Sequence, residues 1–204
     1  MNSKTLKLTT LALLPTALLA FTSCSSTPKS PEIKQTTAVA LEKGVPGGVA
    51  VETYQSSATV TAIDPGTRSV TVVSSNGAKA TFKAGPEVIN FDQIHLGDQI
   101  KATLTKELVV FMRKPGAPQV DGEAAAIVLA PKGAKPGGVM ASTVEVTVKV
   151  KVIDLKRHEV TLLFPDGTSK TVPVRPDVDL TKVKLGEEVV IRTTQAVALS
   201  VEKP

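Results

Sequence analysis

Residues 144–152 alternate without a break, Val144, Val146, Val148, Val150 and Val152 against Glu145, Thr147, Lys149 and Lys151. Apolar residues at period two mark a strand with one buried face, so the pattern predicts the five valines inward and the polar set in water. Ninety residues earlier, Tyr54, Ser56, Ala58, Val60 and Ala62 give a weaker form of the same strand. A second strand follows in each place, with Val70 and Val72, or Val160, Leu162 and Phe164, facing inward. Next come Ser75-Asn76-Gly77 and Pro165-Asp166-Gly167. Asn-Gly and Asp-Gly between alternating runs are strong hairpin signals, because both central residues must tolerate positive φ. The third strand carries Phe82 and Ala84, or Val172 and Val174, and ends at Pro86 or Pro176, since proline cannot donate to a ladder.

Val88, Phe91, Ile94 and Leu96 then read as a short helical plug, and Gly97-Asp98 or Gly186-Glu187 launches a fourth strand. That strand buries Ile100, Ala102 and Leu104, or Val189 and Ile191. After a tight turn, a fifth carries Leu108, Val110 and Met112, or Val197, Leu199 and Val201.

The chain therefore says nearly the same thing twice. Residues 46–88 align with 136–178 at an offset of 90, with 14 of 43 positions identical, and a one-residue deletion makes the offset 89 from Leu96 and Leu185 onward. A repeat of this length means two copies of one small unit. Three strands, a plug and two strands is the order of the five-stranded Greek-key OB barrel. The expected fold is all-β, two tandem OB-like barrels, with a pair of open antiparallel sheets packed face to face as the alternative. The expected boundaries are a signal at 1–23, a flexible tether at 24–41, repeat 1 at 42–115, a partly ordered linker at 116–135 and repeat 2 at 136–204. Residues 36–41 and 124–130 are apolar enough to add a strand to each unit.

Residues 1–7 are short and basic, residues 8–21 are apolar, and Thr22-Ser23-Cys24 follows. A basic start, a short apolar run and small residues before a cleavage point make a secretory signal. The single cysteine just after it resembles the bacterial lipoprotein signal, which implies acylation of Cys24. Ordinary cleavage after Ala20 is the alternative. Two or three acyl chains anchor a protein stably, and Ser25, where an Asp would retain the protein at the inner membrane, favours the outer membrane.

The formal charge is +5; removing 1–23 takes Lys4 and Lys7 and leaves 22 basic against 19 acidic side chains. No block of like charge stands out, which argues against nucleic acid as partner. Aromatic residues make up only 3% of the chain, so the cores must be packed with Val, Leu, Ile and Ala and offer no base-stacking platform.

Candidate chemistry is sparse. His95 and His158 fall at non-equivalent places in the repeat, which points to exposed or structural roles. Asp64 and Asp154 do recur, each after an Ile at a strand end, where an aspartate bonds the turn backbone; a Ca²⁺ ligand is the alternative, but such a site needs several oxygens close together and no Asp-rich loop is present. No zinc spacing, phosphate loop or dinucleotide fingerprint occurs. Lys149, Lys151, Lys156 and Arg157 form a modest basic face on repeat 2 alone, a candidate for anionic lipid or cell-wall glycan. No catalytic residue, metal ligand or cofactor is assigned.

The recurring pattern, Pro-Gly-Gly-Val, Ile-Asp, Val-Thr, Asp/Asn-Gly and Leu-Gly-Asp/Glu, resembles a group of Gram-negative envelope lipoproteins with a duplicated small β-domain. The resemblance covers residues 38–204 and implies a secreted β-domain without an activity attached. The expected function is a non-catalytic envelope lipoprotein, lipid-anchored and facing the periplasm, that binds or builds through its two β-units. Envelope proteins or cell-wall glycan are its expected partners. The alternative is a periplasmic accessory binder of a metal ion or glycan.

Overall fold

The computed structural model describes residues 29–114 and 116–204. The expected signal and Cys24 lie outside them. Ten strands are present among the described residues: β1 Lys34–Ala40, β2 Gly47–Asp64, β3 Ser69–Ser74, β4 Lys79–Lys83, β5 Gln99–Met112, β6 Gly122–Leu129, β7 Gly137–Asp154, β8 Glu159–Leu163, β9 Ser169–Pro173 and β10 Glu188–Glu202. Among the described residues the only helical pieces are the 3₁₀ turns Phe91–Gln93 and Leu180–Lys182. The chain is all-β.

The strands form one open antiparallel sheet in the order β4-β3-β2-β5-β10-β7-β8-β9. β1 pairs with the first half of β2, and β6 with the first half of β7. β1 falls at the end of the expected tether and β6 within the expected linker, as the apolar stretches there suggested.

Two separate five-stranded barrels are not what the strands build. β4 bonds only to β3 and β9 only to β8, so no ladder closes either unit. The cause lies in the expected fourth and fifth strands, which are one strand in each copy. Ile100, Ala102, Leu104, Lys106, Leu108, Val110 and Met112 keep a single alternation, and nothing between 99 and 112 is Gly, Pro, Asn or Asp. With no residue to break it, the strand runs past its own copy. β5 and β10 then pair along their whole lengths, from Met112↔Val189 to Gln99↔Glu202.

The sheet curls so that its far strands return to the other copy. Arg175, just past β9, donates to the carbonyls of Glu42 and Val45 in the β1–β2 connection and of Gly47, the first residue of β2. Asn90, past β4, donates to the Pro131 carbonyl at 2.8 Å between β6 and β7. One of the two cores consequently draws on both copies. Val148, Val150, Val160, Leu162, Leu180 and Val189 are buried at one end, and Val110 and Met112 of β5 pack against them. Val60, Val70, Val72, Phe91 and Ile94 form the other core.

Two details depart from simple alternation. β2 slips register between Val60 and Ala62, and β7 between Val150 and Val152. Such a bulge admits one extra residue and turns the strand. It rotates Val152 outward, contrary to the expected five-valine face, and brings Ile153 into the core. Phe82 also stays exposed, because β4 is a free edge, and Leu96 and Leu185 are exposed rather than part of the plugs.

The Pro-Gly-Gly signature has a packing explanation. A Cβ on Gly47 would overlap the Val110 carbonyl, and one on Gly137 would sit 2.9 Å from the Leu199 carbonyl. The chain enters β2 and β7 too close to the neighbouring strand for any larger residue.

Candidate functional site

The four basic residues singled out on repeat 2 do not converge on a pocket. Lys149 is exposed on β7, Lys151 is the extra residue of the bulge, and Lys156 and Arg157 lie in the β7–β8 turn. The Lys151 ammonium donates to Ser169 Oγ at 3.3 Å. None of the four forms an ion pair among the described residues, and none lines either of the two recesses described below.

The recurring aspartates hold turns. Asp64 Oδ1 accepts from the Gly66 and Thr67 N–H groups at 2.9 and 3.2 Å, and Asp154 Oδ1 from Lys156 and Arg157 at 2.9 and 3.0 Å. The Thr67 hydroxyl and N–H hold the Asp64 carboxyl below its ordinary value. His158 adopts a left-handed backbone, φ 57°, as does its counterpart Arg68, φ 55°. The His158 ring bonds the Arg175 carbonyl at 3.0 Å. Arg68 donates to the Ala84, Gly85 and Val88 carbonyls and covers the Phe91 ring at 4.9 Å. Both positions tie the plug segment to the β-turn, so His158 is structural. His95 is exposed, its Nδ1 3.0 Å from the Gln93 carbonyl. Among the described residues no three His, Cys, Asp or Glu side chains gather as a metal site.

What the structure does provide is a recess of about 310 Å³ at the repeat 2 end. Its floor is Val150, Leu162 and Leu180 of the second copy, and its far wall is Val110 and Met112 of the first. The hairpin joining β1 to β2, with Val39, Leu41 and Pro46, forms the rim. Arg175 is the one lining side chain that carries a polar group, and that group is engaged. Its guanidinium donates to three backbone carbonyls and to Asp177, with Nε–Oδ1 at 3.1 Å. Asp177 in turn accepts from the Gly44 N–H at 2.9 Å, the largest cause of its lowered pKa, which burial opposes and Arg175 reinforces. The clasp therefore carries no uncompensated charge into the recess.

The recess follows from how the two ends are plugged. Leu180 stands where the first copy has Phe91, and Val183 where it has Ile94. Sequence reasoning missed it because its walls come from both repeats; the Phe-to-Leu difference between aligned plugs was the available signal. A second, wider groove of about 710 Å³ lies beside Arg113 and Glu187. Its charges largely answer one another: Arg113 pairs with Glu188 at 2.8 Å and Lys182 with Asp179 at 3.6 Å.

No protein-family model matches the chain, and no curated protein matches it.

Proposed function

We propose that the chain is a non-catalytic lipoprotein of a Gram-negative envelope, anchored through an acylated Cys24 and serving as a binding module. The observation that carries the binding role is the two-copy recess. Ligand sites are concave and mostly apolar, with a few polar groups that orient the guest. Here the walls are apolar and the one polar group at the rim is occupied in joining the copies. A reaction would require a nucleophile or a proton-transfer group aimed inward, and the lining contains none. The anchor rests on the basic start, the apolar run 8–21 and Thr22-Ser23-Cys24. Ser25 points to the outer membrane, with the β-unit in the periplasm.

Cell fractionation of the wild type beside Cys24→Ser tests this reading. Wild type is expected in the membrane fraction at reduced size, and the variant unprocessed or released. A variant that matures to the same size and stays with membranes overturns the anchor. Crosslinking in cells with mass spectrometry then tests the binding role; capture of neither lipid nor envelope component overturns it.

A further inference from the structure

We propose that the recess takes a single neutral aliphatic chain, the tail of a one-chain lipid or alcohol whose head stays in solvent; this rests on the binding-module reading above. Three observations converge. The walls are hydrocarbon, and Arg175, their one polar side chain, already donates to the Glu42, Val45 and Gly47 carbonyls and to Asp177. A charged or sugar-like guest would lose its water and find no partner inside. The volume, about 310 Å³, lies at the small end of ligand sites, and far smaller apolar cavities stay dry and accept apolar guests. The recess also continues outward onto exposed Val39, Leu41 and Leu108. A floor that runs on into an apolar rim suits an elongated guest better than a compact one.

The chain carries its own control. At the other end the plug is Phe91 and Ile94, both buried, so Leu180→Phe with Val183→Ile installs the first copy's side chains in the second. The exposed apolar strand β6, where Ile127 and Val128 are 63% and 66% exposed, offers a competing surface for non-specific adhesion. Ile127→Thr with Val128→Thr removes it.

The experiment is a fluorescence titration of the full chain carrying Cys24→Ser, purified without detergent, with N-phenyl-1-naphthylamine. One site per chain is expected, emptied by 1-decanol and untouched by choline or maltose. Leu180→Phe/Val183→Ile should weaken the probe at least tenfold while melting no lower than the parent. The β6 variant should bind as the parent does. Absence of binding, equal binding by the filled variant, or loss only in the β6 variant overturns the proposal. If the filled variant does not fold, Val39→Gln at the rim takes its place, with weakened binding expected and unchanged binding fatal. Adhesion to phosphatidylcholine vesicles without a one-to-one complex in solution also overturns it. None of these results bears on Cys24, so failure here leaves the envelope assignment to its own fractionation test.

Discussion

Lys106 on β5 lies directly opposite Gln195 on β10, and each is the other's counterpart in the duplicated sequence. Pairs on either side exchange partners accordingly: Val110↔Ile191 is matched by Ala102↔Leu199. The two copies are thus related by a two-fold axis normal to the sheet through the Lys106–Gln195 pair. This is the self-complementary contact of a symmetric dimer, here made within one chain. β5 supplies Val110 and Met112 to the second core, and β10 lies along β5 through 14 residue pairs. A fragment of residues 117–204 is therefore expected to fold only as a dimer, with Gln195 facing Gln195. Sedimentation should show a dimer whose unfolding depends on concentration; a folded monomer contradicts the shared-wall arrangement.

Asp98 is buried and accepts both from Lys135, at the end of the linker just before β7, and from the His95 N–H at 2.8 Å. Burial pushes its pKa up, but those bonds and the nearby charge outweigh it, and the carboxyl ends below its ordinary value of 3.8. A carboxyl lowered on folding stabilises above its unfolded pKa and loses that contribution as pH falls through the folded one. Asp98→Asn should melt lower than wild type at pH 7, with the gap narrowing below about pH 4. Thermal melts across pH 2–8 check this; a gap that stays constant with pH refutes the ionic role.

Arg175→Ala removes the clasp over the β1–β2 hairpin. Bonds from a charged donor are worth about 1.5–3 kcal/mol, and the loss should be local, since the strand ladders stay intact. Hydrogen exchange should speed up in residues 41–48 while β8 and β10 keep their protection. Uniform loss of protection would mean the guanidinium supports the whole core.

Gly47→Ala forces a Cβ onto the Val110 carbonyl at φ +96°, whereas Gly77 at φ +82° has nothing within 4 Å. Left-handed strain alone costs about 1–2 kcal/mol, which is the expectation for Gly77→Ala. Gly47→Ala should cost more than about 3 kcal/mol, as overlap with backbone cannot relax cheaply. Denaturant melts of the two variants give the comparison.

Much of this fold was legible from local chemistry. Asn76-Gly77 and Asp166-Gly167 make their hairpins, with Gly77 and Gly167 at positive φ. Asp64 and Asp154 bond the turns expected of them, and Phe91 and Ile94 plug a core. Strand order across the copies was not legible, because an alternation such as Leu104-Lys106-Leu108 fits a hairpin or one long strand equally well. The bulges hid for the same reason: Val150 and Val152 look equivalent until one extra residue separates them. The recess escaped because Val110 and Leu180, which both line it, lie in different repeats, and periodicity within a segment carries no information on such meetings.

Val110 and Met112 belong to the first half by ancestry and to the second half by neighbourhood. Such cross-ownership binds the halves' evolution unequally. Strand β5 serves both interiors, with Ile100 in one and Val110 and Met112 in the other, while each plug answers to one interior only. Novelty in this molecule is accordingly expected at the plugs, where Phe91 and Leu180 have already diverged, and conservatism along the shared pair of strands.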